Sequence, residues 1–179
     1  MSEVSKEYSR ALYELAEEEQ AEAEYLSEIR AIDGIFADMP EYIRLLGAPN
    51  VPVRERVSML DESFGGRCRE YILFFMKLMI ERGYACYLRE CFSAFEDIYL
   101  ERHGIVRAHV TSAVELDEER KEALHAKLEK YSQKKVEMTL TTDPSLIGGI
   151  RVEIDGKLLE GSVRSRLDKL RSDITGITI

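Results

Sequence analysis

In the first half of this 179-residue chain, apolar side chains recur every three or four positions, the period of an α-helix with one buried face. Tyr8, Ala11, Leu12, Leu15 and Ala16 occupy i, i+3, i+4, i+7 and i+8 and predict a first helix packed through that stripe. Tyr25, Ile29, Ile32, Phe36 and Met39 predict a second, which Pro40 stops. Glu41 to Leu46 allows a short third helix closed by Gly47, and Pro49 and Pro52 make the next stretch a loop, because proline lacks an amide donor and disfavours helix in the residue before it. Val53, Val57, Leu60 and Phe64 predict a fourth helix, ended by Gly65-Gly66. The fifth, over 67–82, is apolar almost all round: Ile72, Leu73, Phe74, Phe75, Met76, Leu78, Met79 and Ile80 surround it, with Lys77 the one interruption. Such a helix is either central to a bundle or offers a second face to a partner. After Gly83, Tyr84, Leu88, Phe92, Phe95 and Tyr99 carry a sixth helix to His103-Gly104.

The period then changes. Val106, Ala108 and Val110 alternate with Arg107, His109 and Thr111, the pattern of a strand with one wet face. Asp117 is placed to cap a helix whose narrow apolar stripe is Leu124, Leu128 and Tyr131, with Glu118 and Glu119 suited to its positive end. Alternation returns with Val136, Met138 and Leu140, and again with Ile150, Val152 and Ile154. Gly148-Gly149 marks a bulge or a close backbone approach. Asp155-Gly156 is a tight-hairpin dipeptide, since glycine accepts positive φ without a Cβ clash. Gly161-Ser162 closes the hairpin, with the serine placed to cap a last helix striped by Val163, Leu167, Leu170 and Ile174. The expected fold is mainly α: an N-terminal six-helix bundle over 1–104, followed by a small α+β domain over 105–179.

Composition narrows the function more than the fold. With 45% apolar and 33% charged residues the chain can bury a real core, and no run of ~18 apolar residues is present to span a bilayer. The opening MSEVSKEYSR has neither the apolar region of a secretory signal nor the basic bias of a transit peptide, which predicts a bacterial cytoplasmic protein or an organellar chain whose leader has been removed. The net charge of −9 lies wholly in residues 1–104, with 12 Lys and Arg against 21 Asp and Glu; the remainder holds 13 of each. Seven glutamates fall between Glu14 and Glu28 without an intervening cation, so a phosphate backbone would be repelled and no nucleic-acid partner is expected. That run reads either as a solvated helix face or as a surface that steers a basic partner. His103, His109 and His125 share no metal-ligand spacing, and Ser145, Ser162 and Gly148-Gly149 stand outside any nucleophile-elbow or phosphate-loop pattern. No catalytic residue, cofactor or metal is expected. Cys68, Cys86 and Cys91 are an odd count; Cys86 and Cys91, five apart on the sixth helix, point about 140° from each other and read as buried free thiols.

Two motifs carry a resemblance. DPSLIGG, a short gap and DGKLLEGSVRSRLDKL, from Asp143 to Leu170, resemble the C-terminal signature of the δ subunits of F-type ATP synthases, called oligomycin-sensitivity-conferring proteins in mitochondria. At the other end, Tyr8-Ser9-Arg10-Ala11-Leu12-Tyr13-Glu14-Leu15-Ala16 is similar to the family's opening YAxALxxLA helix, in the same order and spacing. Two stretches depart from the pattern: Glu81-Arg82-Gly83-Tyr84-Ala85 stands where the family often has ENGRL, and Glu160 replaces the aspartate before GSV. The resemblance implies a non-catalytic stator subunit of a proton-translocating ATP synthase, peripheral to the cytoplasmic face of a bacterial membrane and touching it only through the complex. It implies that Tyr8, Ala11, Leu12 and Leu15 of the first helix, with Phe75, Leu78 and Met79 of the fifth, bind N-terminal helices of the catalytic head's α subunits. It further implies that Val163, Arg164, Arg166, Leu167 and Leu170 dock on the b subunits of the peripheral stalk. The residues alone also fit a helical adaptor or scaffold unrelated to ATP synthesis.

Overall fold

The computed structural model describes residues 2–146 and 148–160. The chain divides into two compact units, 1–100 and 101 onward, so the division falls within the last helix of the first unit, just ahead of Gly104.

Six α-helices make up the first unit: α1 (Glu3–Glu18), α2 (Glu22–Asp38), α3 (Pro40–Leu46), α4 (Val53–Phe64), α5 (Glu70–Glu81) and α6 (Leu88–Arg102), the last preceded by a 3₁₀ turn at Ala85–Tyr87. Their ends follow from local chemistry. Ser2 caps α1 by accepting the Ser5 amide, and Pro40 opens α3 at the position where a missing N–H costs nothing. The α1 terminus carries neither glycine nor proline, yet Gln20 turns left-handed at φ 54°. The Gln20 amide donates to Glu17 O and the Ala21 amide to Ala16 O, the paired bonds of a Schellman end. The same pair closes α5 with Gly83 at φ 78°: Gly83 N to Ile80 O and Tyr84 N to Met79 O.

One core joins all six helices. Phe36 of α2 stacks on Phe92 of α6 at 6.1 Å and meets Phe64 of α4 edge-on, while Phe95 of α6 packs against Tyr13 and Tyr25. Two buried serines bring α1 close to α6, and the Ser9 hydroxyl donates to the Cys91 carbonyl at 2.7 Å. Arg56, which no apolar pattern signals, is also buried; its guanidinium donates to Leu46 O at the end of α3 and to Val51 O in the loop, satisfying carbonyls the helix end leaves open.

The second unit pairs a mixed sheet with one helix: β1 (Ile105–Ser112), α7 (Glu118–Ser132), β2 (Lys135–Thr142), β3 (Ile150–Ile154) and β4 (Lys157–Glu160), in the order β2-β1-β3-β4. β1 and β2 are parallel, as a strand–helix–strand crossover through α7 requires, and the other pairings are antiparallel. Asp117 caps α7 by accepting the Arg120 amide. Leu128 of α7 covers Val106, Ala108, Val110, Val136, Val152 and Ile154, whereas Tyr131, expected on the same stripe, is exposed. Asp155 and Gly156 take φ of 51° and 69°, the positive pair a two-residue hairpin needs. Gly149 is left-handed at φ 83°, and its carbonyl receives the Ala113 amide just beyond the Ser112–Ile150 pairing. The final helix expected from Ser162 onward lies outside the described residues.

Candidate docking surface

The first helix is rotated from its expected setting. Ser5, Ser9, Leu12, Tyr13 and Ala16 point inward. Ala11 and Leu15, expected in the core stripe, are exposed, and Tyr8 is half-buried. Serine supplied the inward positions because close approach to α6 needs small side chains there, and its hydroxyl found carbonyl partners. Reading serine as polar surface therefore turned the predicted face. The outcome is an apolar line, Tyr8, Ala11 and Leu15, on the outside of α1.

The fifth helix resolves in the same way. Ile72, Phe75, Met76, Met79 and Ile80 face the core, Leu78 is half-buried, and Tyr71 and Phe74 are exposed, Phe74 by 61%. The helix is thus central on one side and apolar on its outer side as well. α1 packs against α5, and the Tyr8 ring meets Tyr84, just past the end of α5, edge-on at 6.1 Å. Lys77 forms an ion pair with Asp61 of α4 on the other flank. Of the seven residues expected to meet the catalytic head, Tyr8, Ala11, Leu15 and Leu78 are at least partly accessible. Leu12, Phe75 and Met79 lie in the core. The exposed Tyr71 and Phe74 were not singled out, because a helix apolar all round gives periodicity nothing to choose by. Val163, Arg164, Arg166, Leu167 and Leu170 lie outside the described residues.

Titratable chemistry is sparse. Among the described residues no cluster of His, Cys, Asp or Glu could hold a metal ion. A crevice of about 420 Å³ between α2 and α6 is bordered by two side-chain pairs, Arg30 with Glu96 and Arg89 with Asp33, which bind the two helices together. Cys91 is buried as expected and Cys68 half-buried, but Cys86 sits in the 3₁₀ turn before α6 and is exposed, against the expectation of a buried thiol on that helix. His125 is half-buried, and its Nε2 lies 2.8 Å from the Val136 carbonyl, joining α7 to β2. No helix among the described residues is long and apolar enough to cross a membrane.

Two separately packed units, one of them with an outward apolar helix pair, suit a protein that works by contact. The family follows from comparison: the model for the ATP synthase delta (OSCP) subunit matches residues 4–174, and the chain belongs to that family. Membership makes it a structural stator subunit of an ATP synthase and not one of the catalytic subunits. ATP synthase subunit delta of Clostridium perfringens is 33% identical over 168 residues, covering 94% of each chain. That of Chlorobium chlorochromatii is 32% identical over 170 residues, covering 95% of each. A chain of the Toxoplasma gondii mitochondrial ATP synthase hexamer shares the fold, with a TM-score of 0.76 at 14% identity over 97% of this chain and 98% of that one.

Proposed function

We propose that the α1–α5 surface receives N-terminal helical segments of the α subunits of the catalytic head, and that residues 105–179 grip the b subunits of the peripheral stalk. The chain would then hold the head still against rotor torque during proton-driven ATP synthesis, on the cytoplasmic face of the membrane. The observation that carries this reading is the outward apolar line of Tyr8, Ala11 and Leu15 beside Leu78, Tyr71 and Phe74. A soluble helix pair gains nothing by leaving that area wet, whereas an amphipathic helix laid across it buries both stripes. A tether under torque needs nanomolar-class binding, about 12 kcal/mol, within the range of interfaces of ordinary size. Titrating the chain with a peptide of the α-subunit N-terminus tests it. Saturable binding in the micromolar range or tighter, abolished by Leu15→Asp and by Leu78→Asp, is expected; absent binding at those concentrations would remove the assigned surface.

A further inference from the structure

We infer that acidic lines bordering the α1–α5 surface select its occupant by charge, so that the segment received is an amphipathic helix carrying Lys or Arg on both flanks of its apolar stripe. The inference rests on the docking reading above and adds the chemistry of the partner to it.

On α1, Glu7, Ala11, Glu14 and Glu18 follow at spacings of four, three and four, which places them on one ridge of the helix beside Tyr8 and Leu15 and away from the core. The three carboxylates are exposed, and none has an ion pair among the described residues. Of the nearby cations, Lys6 lies off this ridge, and Arg10, three past Glu7 and four before Glu14, borders it on the side away from Tyr8 and Leu15 and forms no ion pair among the described residues. On α5, Glu70, Phe74, Lys77 and Glu81 form the corresponding outer ridge. Its cation is already engaged, because Lys77 pairs with Asp61 of α4, leaving Glu70 and Glu81 exposed and unpaired. Arg82 at the end of α5 is a further exposed cation beside the surface.

An ordinary solvated helix supports its glutamates with lysines three or four positions away. Here that support is thin: Arg10 alone stands at such a spacing, from Glu7 and Glu14, and pairs with neither among the described residues, Glu14 and Glu18 repel each other at i, i+4, and Lys77 is taken. A helix seated against α1 and α5 would lie about 8–10 Å from each axis, within reach of lysine stems extended to both ridges. Such contacts remain solvent-exposed, so they tune affinity and encounter rate and weaken over a Debye length of about 8 Å at physiological salt.

The test uses the full chain and three labelled helical peptides with one shared apolar stripe, whose flanking positions are all Lys, all Gln or all Glu. At low salt the Lys peptide is expected to bind about tenfold more tightly than the Glu peptide, with the gap closing as salt is raised. Combining Glu7→Gln, Glu14→Gln and Glu18→Gln should cut that preference several-fold and leave the Gln peptide's affinity unchanged. Equal affinities for all three peptides, still lost in Leu15→Asp, would overturn charge selection while the docking surface stood. Failure of every peptide would remove the surface itself and this inference with it. Sedimentation of the chain alone closes the remaining route: a dimer dissolved by Leu15→Asp would assign the face to a second copy and overturn the inference.

Discussion

Burial raises the pKa of several acids in the helical unit, Cys91 and Tyr25 among them. Burial pushes the Cys91 thiol from 9.0 up to about 11, although the Ser5 and Ser9 hydroxyls beside it act in the other direction. Tyr25 is driven above the usual phenol range, first by burial and then by the hydrogen bond its hydroxyl donates to Glu19 at 2.7 Å. Both are acids whose folded form keeps the proton longer than the unfolded chain does. Above pH 9 the unfolded state binds fewer protons than the folded one, so stability must fall as pH rises. Urea unfolding should give constant stability up to about pH 8 and a loss on the order of 2 kcal/mol attributable to Cys91 between pH 9 and 11. Cys91→Ala should flatten the curve in that window, and Tyr25→Phe should flatten it further above pH 10; unchanged slopes would refute this assignment. Arg56 shows the limit of reading single residues. Its neighbours Val53 and Val57 marked a helix, but which carbonyls that helix would cover became apparent only when α3 and the loop were placed against it.

At the scale of elements, the order of helices and strands was legible wherever periodicity or a turn residue spoke. Pro40, Gly65, Gly83 and the Asp155-Gly156 pair all mark element ends or turns in the structure. Asp117 caps α7 as its chemistry suggested, and Asp117→Ala should cost about 1 kcal/mol, measurable as a shift of the chemical-denaturation midpoint with unchanged slope. Two features resisted. The end of α1 at Gln20 uses a left-handed residue with a Cβ, a conformation that side-chain type barely signals. The facing of α1 depended on buried serines, whose inward placement is fixed by contact with α6 rather than by their own polarity. The site suffered from the same ambiguity. Leu12, Phe75 and Met79 share a pattern with Tyr8, Ala11, Leu15 and Leu78, and only the packed helices separate core from surface. The sheet's strands could be read from alternation, but not that β1 would lie between β2 and β3, since pairing order is decided by contacts distant in sequence.

At the scale of the molecule, a stator subunit acts only if its contacts survive load. Leu78→Asp places a charge on the outer side of α5 without emptying the core, so the fold should persist while the hold on the head weakens. In membranes carrying this variant, proton-driven ATP synthesis should drop while ATP hydrolysis by the head continues; unchanged coupling would refute the assigned surface. The junction of α1 with α6 has a consequence for how the polypeptide comes off the ribosome. Ser9 reaches Cys91, and Tyr13 reaches Phe95, so the opening helix, which also packs on α2 and α5, meets the last of its neighbours only after some ninety residues have been made. Until then part of its inner flank stays uncovered. Once α6 has emerged the first unit can lock shut, before β2 or β3 has been translated, and the newborn chain matures from its beginning toward its end.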